Sequence, residues 1–210
     1  MATTYRYPFS PYPTGWYYLC ESAALKPGEV KPMRYFGRNF ALFRTESGQA
    51  VALDAYCPHL GANIGVGGVV EGESIRCPFH KWRFGVDGRC DDVPYWPREE
   101  PPKVGLERWE LHETSGLILA WFSEHGRAPT WRMPDDPDWG TPGWVGYETM
   151  SWKIRMHPQE LIENVPDTAH FQYVHNTPPL SCTYEMDGHV YRQRTFAEGS
   201  GTEFRQTAYG

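Results

Sequence analysis

Short runs of apolar and β-branched residues, each bounded by turn-forming residues, dominate the first 122 positions. They fall at Trp16–Leu19, Phe40–Thr45, Val51–Leu53, Glu107–His112 and Leu117–Phe122, and their lengths and flanks predict strands of a small antiparallel all-β unit. Between them GANIGVGG (61–68) and FGVDGRC (84–90) read as Gly-rich loops, the second with an Asp-Gly pair that predicts a tight hairpin. Residues 123–146 carry four prolines and four glycines in 24 positions, the pattern of an exposed connector, and place a domain boundary near 125. Beyond it, Tyr147–Met156 alternates like a strand, and Pro158–Asn164 opens with Pro at a helix N1 position followed by helix formers. Pro166 disfavours the α conformation at Val165, so a second helical stretch over Asp167–His175 restarts there and stops at Asn176-Thr177-Pro178-Pro179. From Ser181 the pattern returns to strands, separated by an Asp-Gly turn (187–188) and a Gly-Ser-Gly turn (199–201), and still reads as sheet at Gly210. The expected fold class is α+β: an all-β domain over 14–125, then over 126–210 the first part of an α+β domain.

Composition narrows the function classes. The 210 residues suffice for one large domain or two small ones, and 21 glycines with 19 prolines, against an average usage of about 12%, agree with many turns. Acidic residues number 26 against 20 basic ones, and no run of five like charges occurs, so nucleic acid, which needs clustered cations, is not an expected partner. The longest strongly apolar stretch, Gly116–Phe122, is seven residues, far below the roughly 20 that span a bilayer. The N-terminus has neither the basic region nor the apolar core of a secretory signal, which leaves a cytoplasmic location as the expectation. Five cysteines at 20, 57, 77, 90 and 182, an odd number, point to metal ligands or free thiols rather than to a disulfide scaffold.

Two constellations carry chemistry. Cys57-Pro-His59 and, 17 residues on, Cys77-Pro-Phe-His80 each supply one thiolate and one imidazole from a tight loop. That is the ligand set of a [2Fe-2S] cluster held by two Cys on one iron and two His on the other. Cys2His2 also binds zinc, but C-x-H is shorter than the usual zinc knuckle and the Cys/His split between loops is unusual for zinc, so iron–sulfur is favoured. Backbone N–H groups of the flanking LGAN and HKWRF segments are placed to bond the sulfurs, and Trp82 reads as a shield over the cluster. Cys20, Cys90 and Cys182 read as free or buried thiols.

The second constellation is Asp167-Thr-Ala-His170-Phe-Gln-Tyr-Val-His175. Asp167 and His170 are three apart and share a helix face, close enough for the carboxylate to orient the imidazole. His175, five residues after His170, lies about 140° around a regular helix, so both reach one metal only if the helix unwinds or ends there. Two His and one carboxylate on one face of an iron leave positions open for O2. The remaining histidines, at 112, 125, 157 and 189, read as ordinary surface or strand residues, and the acidic pairs Asp91-Asp92, Glu99-Glu100 and Asp135-Asp136 as solvated loop faces.

Together, DAYCPHLGANIGVGG…IRCPFHKWRF and NVPDTAHFQYVH resemble the Rieske non-haem iron oxygenases. Ala62 and Phe79 stand where respiratory-chain Rieske proteins carry a disulfide, which points to the oxygenase or ferredoxin type of cluster. The wording is most similar to the oxygenase components of 3-ketosteroid 9α-hydroxylases and to cholesterol 7-desaturases. The resemblance implies a helix-grip catalytic domain, a [2Fe-2S] cluster on Cys57, His59, Cys77 and His80, and a mononuclear Fe(II) on His170 and His175. Asp167 would link the cluster of one subunit to the iron of the next. It further implies an NAD(P)H-dependent flavin/iron–sulfur reductase as partner, docking around His59 and His80. O2 and a bulky apolar, steroid-like small molecule would be the substrates of a monooxygenase or desaturase, and the assembly a homotrimer when full length. In that family the third iron ligand is a carboxylate well beyond the second histidine. Only Glu185, Asp187, Glu198 and Glu203 follow His175, none at that place, so a C-terminally truncated and by itself inactive chain is the expectation. The rival readings are a Rieske electron-transfer protein without a working mononuclear site and a zinc-stapled binding module.

Overall fold

A computed structural model describes residues 8–197 and 203–209, so the 199–201 turn and Glu198 lie outside the described residues. The strands run in order β1 (Gly15–Glu21), β2 (Val30–Tyr35), β3 (Arg38–Arg44), β4 (Ala50–Asp54), β5 (Val69–Glu71), β6 (Ser74–Arg76), β7 (Arg83–Gly85), β8 (Cys90–Asp92), β9 (Leu111–Thr114) and β10 (Leu117–Phe122). There follow the helices α1 (Pro158–Asn164) and α2 (Ala169–His175) and the strands β11 (Pro179–Asp187), β12 (Val190–Ala197) and β13 (Glu203–Tyr209). The molecule is α+β, and the chain divides into two compact units. One comprises Trp16–Phe122 with Ala128–Tyr147; the other carries α1, α2 and the antiparallel sheet β11-β12-β13. No helix among the described residues is long and apolar enough to cross a membrane.

The first unit is organised by its sheet β2-β3-β4. Successive side chains of a strand face opposite sides, and both sides of this sheet are covered. Ala41, Phe43, Val51 and Leu53 pack with Val70, Ile75, Phe84 and Cys90 of the sheet β5-β6-β7-β8. Phe40, Leu42 and Ala52 pack on the other face with Leu19, Trp109, Ile118 and Ala120, mostly from the sheet β1-β10-β9. Double coverage is why Phe40–Phe43 is apolar at every position instead of alternating. Each fully buried Phe or Leu here stabilises the unit by roughly 1.5–3 kcal/mol. Cys57 and Cys77 belong to the first of these cores, which anchors the cluster loops to rigid elements.

Four sequence expectations are corrected. Glu107–His112 is a strand only from Leu111, because the segment changes partner midway: Asp54 N–H and Trp109 N–H tie it to β4, and Trp121 N–H of β10 bonds Glu110 O. Tyr147–Met156 forms no strand; it finds no ladder partner among the described residues and leaves Trp152 71% exposed, so alternation alone did not suffice. Asp91 and Asp92 are not solvated loop residues but part of β8, where Asp91 bonds Arg83 Nε (2.7 Å) and Ser74 Oγ (2.6 Å) and Asp92 bonds Arg76 (2.8 Å). His157 is buried and caps α1, its Nδ1 accepting from Gln159 N–H at 3.1 Å, rather than lying on a surface or strand. The Asp-Gly hairpin forms between β7 and β8: Gly88 has φ +80°, and a Cβ there would stand 2.1 Å from Leu106 O, so only glycine fits.

The connector 128–147 is exposed for most of its length yet strapped along the β9–β10 hairpin. Thr114 Oγ1 donates to Asp135 (2.6 Å), Asp136 N–H to Ser115 Oγ (2.6 Å) and Tyr147 OH to Ser115 O (2.6 Å).

Candidate functional site

The loop after β4 and the loop between β6 and β7 fold on one plan. Cys57 N–H bonds Ala62 O (2.9 Å) and Cys77 N–H bonds Trp82 O (2.8 Å), so each turn closes five residues past its cysteine. Each also needs a left-handed residue four past the cysteine, Gly61 (φ +73°) in one and Lys81 (φ +61°) in the other. The first loop makes a further close approach, since a Cβ on Gly68 would meet Ile64 O at 2.1 Å. The second is clasped by Arg76, whose Nη1 donates to Lys81 O (2.7 Å) while Glu71 (2.7 Å) and Asp92 (2.8 Å) hold the guanidinium.

The two plans deliver cysteines inward and histidines outward. Cys57 is 3% and Cys77 1% exposed, whereas the His59 and His80 rings stand 4.7 Å apart at 74° toward the surface. Burial pushes the Cys57 thiol up to about 11; the N–H groups of His59 and Leu60, aimed at its sulfur, act against that, and the neighbouring Cys77 adds to it. A cationic metal is what would turn such thiols into thiolates. His59 Nδ1 is buried and has no hydrogen-bond partner, a lone pair or N–H aimed at nothing in the protein. Among the described residues no three His, Cys, Asp or Glu side chains gather to hold one ion. A two-iron cluster, with two protein ligands per iron, needs no such group, whereas a Cys2His2 zinc site would. The residues therefore fit a [2Fe-2S] cluster.

The second constellation is built at the start and end of α2. Asp167 Oδ1 accepts from Ala169 N–H (3.0 Å), starting the helix, and Oδ2 lies 3.7 Å from His170 Nδ1. That buried nitrogen has no closer partner, so a small approach of Asp167 would make an N–H···O bond and free Nε2 for a metal. His175 is the last residue of α2; Asn176 follows with φ +53°, and both Asn176 and Thr177 N–H bond Phe171 O, a widened last turn. The widening resolves the 140° problem, and the His170 and His175 rings come within 5.4 Å at 70°. The two imidazoles could supply two of the ligands of a mononuclear iron, with Asp167 beside His170 Nδ1 as an orienting group rather than a third ligand.

The profile of the Rieske [2Fe-2S] domain matches residues 15–110, and that of the 3-ketosteroid 9α-hydroxylase C-terminal domain matches 120–209. The chain belongs to the Rieske oxygenases. A cholesterol 7-desaturase of Bombyx mori is 41% identical over 171 residues, covering 81% of this chain and 37% of that protein. A probable 3-ketosteroid-9-alpha-monooxygenase oxygenase component of Rhodococcus rhodochrous is 35% identical over 185 residues, covering 87% of this chain and 46% of that one. This Rieske oxygenase chain thus spans less than half the length of these curated relatives. In fold it is similar to NdmA of Pseudomonas putida CBB5 (TM-score 0.74, 21% identity, 92% of this chain and 62% of that one) and to dicamba monooxygenase (TM-score 0.70, 20% identity, 90% and 58%). The matched Rieske domain brings a [2Fe-2S] cluster as its cofactor.

Lys81, Arg76 and Tyr95, whose hydroxyl accepts from Trp82 Nε1 (2.7 Å), are site residues that the motif did not reveal. Aligning the loops on their shared Cys-Pro would have exposed one of them: Lys81 stands at the place of Gly61. Lys81→Gly should leave the cluster intact and raise stability by about 0.5–1 kcal/mol in chemical denaturation, because the left-handed conformation is strained for lysine; a loss of stability would count against that strain. The clasp should respond to acid. The hydrogen bond from Arg76, above all, holds the Glu71 carboxyl below its usual value, so its contribution is present above about pH 4.3 and is lost as pH falls through the lowered value. A carbon-13 titration of the Glu71 carboxyl should show that depressed midpoint, and Arg76→Met should return it to the ordinary range.

Proposed function

We propose that this chain is the cluster-binding domain and the beginning of the catalytic domain of a Rieske oxygenase component acting on a bulky apolar steroid or sterol. The observation that carries the reading is the pair of matched turns that buries Cys57 and Cys77 and sets His59 and His80 side by side. Cys57, His59, Cys77 and His80 hold the [2Fe-2S] cluster, and His170 with His175 the mononuclear Fe(II). The cluster domain of this reading spans 14–125 and the beginning of the catalytic domain 126–210, with residues 128–147 returning to the compact unit of Trp16–Phe122. Bound there, the two groups would supply one-electron storage and O2 activation at a C–H bond, for hydroxylation or desaturation.

The chain's own residues do the rest. The apolar surround of Cys57 and Cys77 keeps water from the sulfurs, while the half-exposed His59 and His80 edges offer the way in for electrons. Exposed Tyr56, Leu60, Phe79 and Tyr95 surround that edge and suit docking of an NAD(P)H-dependent flavin/iron–sulfur reductase. Asp167, on closing from 3.7 Å onto His170 Nδ1, would orient that ring and, in a homotrimer, would connect to the cluster of the neighbouring subunit. The steroid preference rests on the cholesterol 7-desaturase and 3-ketosteroid monooxygenase relatives.

The test is the iron and acid-labile sulfide content of anaerobically reconstituted protein, beside His170→Ala. About three irons and two sulfides, falling to two irons in the variant, is the expected result. Two and two in both proteins would leave a Rieske electron-transfer protein, and iron without sulfide would remove the cluster.

A further inference from the structure

Trp82 joins the two cluster loops. Its backbone carbonyl closes the second loop on Cys77 N–H (2.8 Å), while its indole lies parallel to the imidazole of His59 in the first, 4.7 Å between centroids and 6° between planes. It is 8% exposed, and its Nε1–H donates to the hydroxyl of Tyr95 at 2.7 Å. Tyr95 itself is 56% exposed, on a turn fixed by buried Val93 and by the Trp96 N–H to Val93 O bond (2.9 Å). A rigid chain of contacts thus runs from the core through Val93, Tyr95 and Trp82 to one face of His59. The other histidine has no such backing among the described residues: Phe79, tilted 45° at 3.9 Å, is its exposed neighbour.

We propose that Trp82, locked by Tyr95, is a positioning residue that fixes the His59 ring plane and holds the cluster in its oxidised state by keeping its reduction potential low. The inference rests on His59 being a cluster ligand. The sign follows from two effects that act together. The electron-rich indole face favours the more positive imidazole of the oxidised state, and its apolar bulk excludes water that would solvate the negative charge added on reduction. Removing either the indole or its lock therefore makes one-electron reduction easier.

The test is a potentiometric titration at pH 7 with dithionite as electron donor, followed by visible circular dichroism and by the paramagnetic resonance of the reduced state. Tyr95→Phe, which removes only a hydroxyl at a half-exposed position, should shift the reduction equilibrium about threefold toward the reduced state. Trp82→Leu should shift it about tenfold, about 59 mV upward for one electron, with a broadened or displaced resonance. Trp82→Phe, which keeps a stacked ring without the N–H, should match Tyr95→Phe. Iron and sulfide should stay at wild-type levels in all three. Unchanged potentials and spectra in clusters of normal content, or a downward shift, would overturn the proposal. If Trp82→Leu does not hold its cluster, Tyr95→Phe decides alone. Wild-type protein lacking sulfide would instead bring down the cluster assignment itself.

Discussion

Serine at position 57 is expected to give a colourless protein without acid-labile sulfide and without a paramagnetic signal on reduction. The reason lies in burial. The Cys57 sulfur sits in the core that also contains Phe43, Ile75 and Phe84, with two backbone N–H groups aimed at it, and a serine hydroxyl in that place cannot ionise to hold iron. The cluster also ties together two loops whose cysteines are 20 residues apart in sequence. By analogy with a covalent link closing a loop of that length, its loss costs about 3 kcal/mol, or roughly 6–12 °C in Tm. Cys90→Ser is the control. Cys90 lines the same core and its thiol is likewise pushed up, by burial above all, yet it lies outside both cluster loops. It should lose stability and keep its iron and sulfide. Colour and sulfide that survive Cys57→Ser would show that the thiolate is not a ligand.

The contrast between Cys57 and Cys90 also shows what the sequence made legible. Ligand chemistry restricts residue types, so Cys57, His59, Cys77 and His80 stand out by identity and spacing before any fold is known. Strands stand out only where the core dictates them. β3 is visible because both its faces are buried, but β2 is hidden by Pro32, tolerated because β2 is an edge strand. β5 to β8 are three residues each, too short for alternation to register, although they carry one of the two cluster loops. Tyr147–Met156 shows the converse: a strand pattern with no partner to pair with stays irregular. Arg76, Lys81 and Tyr95 were silent for another reason. Each acts through a backbone angle or a bond to a distant atom, and neither leaves a mark on residue spacing. Even the His170/His175 pair, apparent as a motif, depended on a structural detail: the widened turn on Phe171 O, which only the Asn-Thr-Pro-Pro breaker hinted at.

Asp167→Asn is expected to separate iron binding from electron delivery. Asparagine keeps an oxygen that can accept from Ala169 N–H, so the start of α2 survives, a bond worth about 1 kcal/mol that alanine would forfeit. What it loses is the negative charge 3.7 Å from His170 Nδ1. On the proposed role of Asp167, loss of that charge leaves the imidazole less firmly oriented and less basic at its other nitrogen, and interrupts the proposed path between the iron site and a neighbouring cluster. Replacing such an orienting partner typically costs 10–100-fold, and the cost should appear in one quantity only. In rapid mixing of the fully reduced protein, carried in a polypeptide with a complete catalytic domain, with O2 and an apolar steroid, re-oxidation of the cluster, followed by its visible absorption, should slow about 10–100-fold. Iron and sulfide per chain should remain at wild-type values. Equal loss of iron and rate would make Asp167 a structural support of the site. An undiminished rate would mean that electrons reach the iron without Asp167, and that its place beside His170 serves only to start the helix.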